Sequence, residues 1–172
     1  VIDLNNIERV EVVPGARSDY GNGATGGTIN FITKTATEDH EVTIAAGISG
    51  FTKHVGNSLA PETSVTFTGT KGDFDYAATL SAEMTRDAYT GEGDLAPSDP
   101  LIGQGGLDNT KTFNLSLKGG WNASSSKRLQ ASFSMIELNQ EPEFNSDYTT
   151  DPVSTDPNST YGDERIRERS QY

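Results

Sequence analysis

The sequence predicts an all-β chain that forms part of an antiparallel, up-and-down transmembrane β-barrel. Three observations lead to this fold class. Apolar and polar residues alternate with a period of two along most of the chain, the connections between strands alternate between long and short, and aromatic residues stand beside the short turns. In barrels of this kind the short turns lie on one side of the membrane and the long loops on the other.

Five segments after residue 40 show the alternation, and no convincing helix separates them. In each segment the apolar side chains share one parity, which predicts a strand with one apolar and one polar face. The segments are residues 42–49, 65–69, 74–85, 113–121 and 129–135. The charge-rich stretch 161–172 is interpreted as a sixth strand that projects above a membrane.

The predicted connections follow the order long, short, long, short, long. Lys71-Gly72-Asp73 and residues 122–127 are the short turns, whereas residues 52–61, 87–110 and 139–160 are the long loops.

The aromatic residues beside these short turns agree with the barrel. Phe74 and Tyr76 follow the first turn and Trp121 precedes the second, all on the apolar face. That position suits rings at a lipid–water interface. Packing in the core of a soluble β-sandwich is the alternative interpretation.

Composition excludes several function classes. The chain has 172 residues, 13 basic and 25 acidic, so its net charge of −12 argues against nucleic-acid binding. It lacks cysteine, and its two histidines, His40 and His54, stand in polar surroundings. No nucleophile–base pair is visible, and the spacing of the loop aspartates matches no EF-hand. We therefore predict neither an enzyme nor a metal site.

Hydrophobic residues make up only 33% of the chain, and no apolar run is long enough for a membrane-spanning helix. A membrane-spanning strand needs apolar residues on one face only, so this composition remains compatible with a barrel.

The N-terminal part contains a glycine motif that requires a different explanation. Gly21, Gly23 and Gly26 have the G-x-G-x-x-G spacing of a phosphate-binding loop, which needs a strand before it and a helix after it. Residues 7–13 (IERVEVV) do predict a strand. Residues 28–33 (TINFIT) are mostly β-branched or aromatic and predict a second strand, not a helix. A nucleotide-binding function is therefore disfavoured.

A strand, a glycine-rich loop and a second strand thus precede the barrel segments. The residues of this unit resemble the end of the plug domain of TonB-dependent outer-membrane receptors. They are Ile7-Glu8-Arg9-Val10-Glu11-Val12, Gly15, Ser18, Tyr20-Gly21, Ala24, Gly26-Gly27, Ile29-Asn30 and Ile32-Thr33-Lys34.

The resemblance implies a barrel of roughly 22 strands whose lumen holds the plug. Residues 1–36 would be the C-terminal part of the plug domain, and residues 37–172 the N-terminal portion of the barrel with its first five to six strands. The chain begins on Val1 without a methionine and ends on Tyr172 within a predicted strand, so we expect an excerpt or a processed product. Expressed alone, such an open sheet is expected to aggregate.

The resemblance also suggests roles for residues of the plug. A plug inside a barrel must turn tightly and approach the wall closely, which glycine permits. The hinge and packing candidates are Tyr20, Gly21, Gly26, Gly27 and Asn30. Gly26-Gly27 would let the chain enter the last plug strand, and Asn30 would offer its amide to neighbouring backbone.

One position departs from the family pattern. Many members of the family have an arginine just before the glycine at position 15, where it pairs with barrel acids. This chain has Pro14 there, so Arg9 and Arg17 are the candidates for that pairing. The segment that contacts TonB would lie upstream of Val1.

The implied function is an outer-membrane transporter that captures a ferric siderophore at the surface of a bacterium and imports it with energy from the TonB complex. Its partners would be TonB, outer-membrane lipid and the siderophore, and no cofactor would be bound covalently. The alternatives are a receptor for haem, cobalamin or a glycan, and, in a different class, a soluble β-sandwich binding or adhesion module. Candidate ligand contacts in the long loops are Tyr89, Phe144 and Tyr148.

Overall fold

The computed structural model describes residues 4–15, 26–97, 108–160 and 166–171, and these residues form an all-β chain with antiparallel strand pairing. A 3-10 turn at Leu4–Asn6 and a one-turn helix, α1, at Val55–Ser58 accompany ten strands. The strands are β1 Ile7–Pro14, β2 Gly27–Thr33, β3 Glu41–Ser49, β4 Ala60–Lys71, β5 Phe74–Met84, β6 Thr110–Ser124, β7 Lys127–Gln140, β8 Phe144–Asp147, β9 Ser154–Thr160 and β10 Ile166–Gln171.

Six of the strands form one antiparallel sheet in the order β10-β7-β6-β5-β4-β3. All five segments predicted from alternation are strands of this sheet, and the predicted sixth strand is confirmed at Ile166–Gln171. The sheet is open, with β3 and β10 as its edges among the described residues. The strands are longer than predicted, because cross-strand hydrogen bonding continues where the apolar alternation has ended, as in Ala60–Lys71.

The connections also match the prediction. Lys71 pairs with Phe74 across a two-residue turn in which Gly72 has a φ of 60°, a conformation that glycine adopts without strain. The second turn, at residues 125–126, is equally short. Since consecutive strands are antiparallel, both turns lie at one end of the sheet, the turn end, and the long connections lie at the other, the loop end.

The third long connection contains a hairpin that the alternation did not predict. Strands β8 and β9 pair with each other and form a separate two-stranded sheet. Both strands are rich in Ser, Thr, Asn and Asp, so they lack the apolar periodicity from which strands are recognised.

The N-terminal hairpin consists of β1 and β2, which pair antiparallel with Val10 opposite Phe31 and Pro14 opposite Gly27. A strand therefore follows the glycine motif, and the prediction that no helix follows it is confirmed. Gly27 has a φ of 138°, and a Cβ atom there would lie 2.8 Å from the Val13 carbonyl oxygen. Gly26 has no positive φ, and a Cβ atom there would meet nothing within 4 Å. Of these two residues, therefore, only Gly27 must be glycine for backbone reasons.

The two faces of the six-stranded sheet differ in their exposure. The face that carries the apolar residues is exposed: Ile44 and Leu129 retain 72% and 67% of their accessible surface. The opposite, polar face is buried, with Thr79 and Ser81 only 2% and 3% exposed. Among the described residues the buried apolar side chains are just Ala77 and Leu138, so the molecule has almost no hydrophobic core.

The N-terminal segment lies on the polar face. The 3-10 turn contacts β5, and the Asn6 side-chain amide donates a hydrogen bond of 2.8 Å to the Ser116 hydroxyl. The linker to β3 follows the same face, since the hydroxyls of Thr37 and Thr68 lie 2.8 Å apart. A hydrogen-bonded polar surface is thus covered while the apolar surface is left open. Within the described ranges, no helix has the length and apolarity needed to cross a membrane.

Candidate functional site

The apolar face forms a band with a defined lower border at the turn end. Phe74 and Trp121 are paired across β5 and β6, and their rings stack with centroids 5.8 Å apart and planes 7° apart. Tyr76 lies two residues further along, where its hydroxyl contacts His40 Nδ1 at 3.0 Å. The predicted positions of all three aromatics, on the apolar face beside the short turns, are confirmed.

The upper border lies near the loop end, where the alternation on β7 reverses. Ile136 and Leu138 lie on the polar face there, whereas Glu137 and Asn139 lie on the apolar face, opposite Phe113 and Lys111 of β6. Between the two borders β6 runs from residue 113 to residue 121. That stretch has nine residues, which matches the roughly 9–11 residues that a tilted strand needs to cross a bilayer.

An ion pair spans the polar face at the turn end. Arg128 of β7 reaches across β6 to Asp75 of β5, with Nη1 2.6 Å from Oδ2 and Nη2 2.9 Å from Oδ1. The pair passes over Gly120, where a Cβ atom would meet the guanidinium and lie within 2.7 Å of both carboxylate oxygens. A glycine in the middle strand therefore makes the bidentate contact possible and fixes three strands relative to one another.

At the loop end, three connections form a unit that we call the loop layer: residues 50–59, 85–97 with 108–109, and 141–160. The second connection contacts both of the others. The first connection contacts the second through backbone carbonyls. Lys53 Nζ donates to the carbonyl oxygens of Gly91 and Glu92 at 2.7 and 2.8 Å, and His54 Nε2 lies 2.8 Å from that of Gly93. Gly93 has a φ of 101°, a conformation that glycine adopts without strain.

Tyr89, a predicted ligand contact, lies at the centre of this junction. Its ring stacks on His54, with centroids 4.0 Å apart and planes 17° apart, and meets Phe51 edge-on at 6.1 Å. Tyr89 also forms a β-bridge with Leu95. The residue therefore organises the first two connections, and its ring already has protein partners on its surface.

Phe144 and Tyr148, the other two predicted ligand contacts, lie in the third connection. Phe144 lines a small cavity together with Leu95 and Ala96 of the second connection, and the Thr155 hydroxyl donates to the Leu95 carbonyl at 3.0 Å. Tyr148 follows strand β8 and is 63% exposed. The structure thus places both Tyr89 and Phe144 beside Leu95, and Tyr148 at an exposed turn.

The plug candidates have the following positions. Arg9 hydrogen-bonds Glu11 at 2.9 Å and Glu8 at 3.1 Å within its own strand. These contacts, above all the one with Glu11, raise the pKa of Arg9. Asn30 lies on β2 opposite Glu11. Arg17, Tyr20 and Gly21 are outside the described residues.

The acidic third connection contains no metal site in the part of the chain that the structure describes. Asp147 instead accepts hydrogen bonds from the Thr149 hydroxyl at 2.6 Å and the Thr149 amide at 2.8 Å. These bonds favour the carboxylate and lower the pKa of Asp147.

Sequence reasoning missed Phe51, Lys53 and His54 as members of the loop layer. No local pattern distinguishes them, since their partners lie 35 to 39 positions away in the chain. The only indication in the sequence was two aromatic rings and a cation in a connection longer than a turn requires.

Comparison with known proteins identifies siderophore receptors as relatives. The chain is 36% identical to the ferric aerobactin receptor of Klebsiella pneumoniae over 77 residues, which cover 34% of this chain and 10% of the receptor. It is 34% identical to the ferric aerobactin receptor of Escherichia coli over 77 residues, with the same coverage. It is 37% identical to the rhizobactin receptor of Rhizobium meliloti (strain 1021) over 103 residues, 57% of this chain and 13% of that receptor.

The matched region is thus about a tenth of the length of each curated relative. No family model and no solved structure matches the chain. What these comparisons establish is similarity to receptors for siderophores, over part of the chain.

Proposed function

We propose that this chain belongs to an outer-membrane receptor that captures a ferric siderophore at the cell surface and imports it with energy from TonB. The observation that carries the proposal is the inverted sheet, in which apolar side chains are exposed and hydroxyl-bearing side chains are buried. A sheet of this kind is stable where lipid contacts one face and a polar interior the other. The relatives named for ferric aerobactin and rhizobactin support the choice of cargo.

In this proposal each region has a separate task. The six-stranded sheet is part of the wall of a barrel of roughly 22 strands. The N-terminal hairpin, within residues 1–36, is the end of a plug that lies on the polar lumenal face, and Asn6 is its contact with the wall. The loop layer lies outside the cell, where Tyr89, Phe144 and Tyr148 are the proposed ligand contacts.

The plug residues have proposed tasks as well. Gly27, with its positive φ, allows β2 to begin beside Pro14, and Tyr20, Gly21, Gly26 and Asn30 are proposed to complete the hinge. Arg9 and Arg17 remain the candidates for a charged contact between plug and wall. Such a contact would require Arg9 to exchange Glu8 and Glu11 for acids of the barrel.

Growth on a defined iron source tests the function. A strain that lacks the gene should fail to grow when ferric aerobactin or ferric rhizobactin is its only iron source, and the intact gene should restore growth. The same gene in a strain without TonB should restore nothing, because the binding step alone does not import the ligand. Restored growth on haem, or restored uptake of cobalamin or a glycan, would instead favour another cargo.

Fractionation tests the class of protein. We expect the protein in the outer membrane, with a migration on gels that changes on heating, as folded barrels show. A protein that stays soluble would support the β-sandwich alternative. The 59% to 72% exposure of Val42, Ile44 and Ile48 speaks against that alternative, because a sandwich buries the apolar faces of its sheets against each other.

A further inference from the structure

A groove of about 540 Å³ opens on the apolar face at the loop end of the sheet, across strands β4 to β7. Its floor is apolar and belongs to the exposed band: Ala82 and Met84 of β5 and Phe113 of β6 line it. Its polar outward-facing residues are Lys111 and Asn139 on the loop side and Glu137 beside Phe113, one row nearer the turn end. Neither the proposed ligand contacts nor the plug hairpin lies in this groove.

Among the side chains that the structure describes, the outward-facing charges around the groove sum to a positive value. Lys111 is exposed and has no ion-pair or hydrogen-bond partner among the described residues. Glu137 is neutralised by Arg169, whose Nη2 atom lies 3.2 Å from its Oε2 atom. A local cationic site is notable in a chain whose net charge is −12.

Two further carboxylates touch the groove from its edge, Glu62 and Glu83. They are paired with each other across β4 and β5 and belong to the polar face, since Glu62 also pairs with Gly47 of β3 and its carboxylate lies against that glycine. Their charges are therefore directed away from the outward surface, and Lys111 is left as the free charge of the groove.

The position of the groove, between the apolar band and the loop end of the sheet, identifies the kind of ligand. Met84, Lys111 and Asn139 are neighbours in one cross-strand row, and Ala82, Phe113 and Glu137 form the next row toward the turn end. An acyl chain lying on Ala82 and Phe113 would therefore continue along the apolar band, while an anionic group bonded to it would reach Lys111. A molecule with both parts fits the groove, and a small anion alone would leave the floor exposed.

We propose that this groove binds a phosphorylated lipid of the leaflet on the loop side, with the phosphate at Lys111 and an acyl chain on Ala82, Met84 and Phe113. The inference rests on the proposed membrane location but on no property of the siderophore or of TonB. The lipid would hold the upper border of the apolar band at the level of the headgroups. The Glu137–Arg169 ion pair lies beside the groove at this border.

Lipid binding to the whole, delipidated receptor in detergent tests the inference. Three probes separate the parts of the ligand: a diacyl phosphatidic acid, the diacylglycerol with the same acyl chains, and inorganic phosphate. We expect the phosphatidic acid to bind most tightly. Lys111→Gln should weaken its binding about fivefold, which corresponds to the roughly 1 kcal/mol contributed by one basic residue near an anionic lipid surface.

Lys118→Gln is the matched control, because Lys118 belongs to the same strand but lies on the polar face, opposite Ala77. It should leave phosphatidic acid binding unchanged. Ala82→Trp tests the floor independently: it should fill the groove and weaken both lipids without affecting heat-modifiable migration, the measure of folding.

Equal binding of phosphatidic acid by Lys111→Gln and the unchanged receptor would overturn the inference, as would equal binding of diacylglycerol and phosphatidic acid. So would a receptor that binds inorganic phosphate as tightly as the lipid. These results would leave siderophore uptake intact, whereas failure of the proposed function would appear as absent uptake or a soluble protein. The two failures are thus distinguishable.

Discussion

The six-stranded sheet and the loop layer are neighbouring parts of one molecule that are held together by different means. In the sheet, side chains of one type recur every second residue and backbone groups pair in a continuous register. In the loop layer, single side chains such as Lys53 and His54 bind the backbone carbonyls of a distant segment. The first arrangement tolerates many side chains of the same character, whereas the second depends on individual residues. Substitutions should therefore act differently in the two regions.

The largest effect should come from a charge in the middle of the apolar band. Leu80→Arg should lower the free energy of unfolding by about 2–4 kcal/mol if the band contacts lipid, because the guanidinium would lie near the centre of the bilayer. Denaturant unfolding of the whole protein in lipid vesicles measures the change. Ile48→Arg, near the loop end of the same face, should cost only about 0–1 kcal/mol. Equal costs at both positions would show that the face does not follow membrane depth.

Replacing the glycine that the backbone of β2 requires should have the next largest effect. Gly27→Ala should destabilise the N-terminal hairpin by about 1–3 kcal/mol, since the added Cβ would meet the Val13 carbonyl and alanine would be strained at a φ of 138°. Gly26→Ala is the matched control and should be nearly neutral. Hydrogen exchange of the β2 amides reports the difference. If the two variants exchange alike, the hairpin does not depend on the conformation of Gly27.

The loop layer should depend on individual side chains, and the aromatic ring of Tyr89 tests this. Tyr89→Ala should remove the contacts with His54 and Phe51, and each aromatic pair contributes about 0.5–1.5 kcal/mol. Limited proteolysis should then cut residues 50–59 faster while the sheet stays protected. Tyr89→Phe keeps the ring and should behave like the unchanged protein. Cleavage at the same rate in Tyr89→Ala would mean that the loop layer is held by its backbone contacts alone.

The smallest effect should be a pH dependence of the β8–β9 hairpin. The hydrogen bonds from Thr149 hold the pKa of Asp147 below its ordinary value of 3.8. Because the folded-state pKa is lowered, the stabilisation is fully present above pH 3.8 and is lost as the pH falls through the folded-state value. Amide exchange of the hairpin measured down through this range should show the loss. Thr149→Ala should remove most of this dependence, and an unchanged pH profile would contradict the assignment.

Much of the sheet was predictable from sequence, because alternation is a local property. The apolar series in Phe74–Met84 fixed both the strand and its apolar face, and the Gly72-Asp73 turn set its pairing with β4. The β8–β9 hairpin was not predictable in this way, since polar strands carry no apolar signal. For the candidate site, the sequence indicated Tyr89 and Phe144 as loop aromatics, but not that both would lie beside Leu95.

The sequence by itself determined that the chain forms strands, where they turn, and that each strand has one apolar face. The tertiary structure alone decided which face is covered, because period-two alternation is the same for a soluble sandwich and for a membrane wall. It also decided that Arg128 reaches Asp75 over Gly120, that Lys53 and His54 bind the second connection, and that Lys111 stands beside an apolar groove. Each of these contacts joins residues distant in sequence, so its free energy depends on a register that no local pattern specifies.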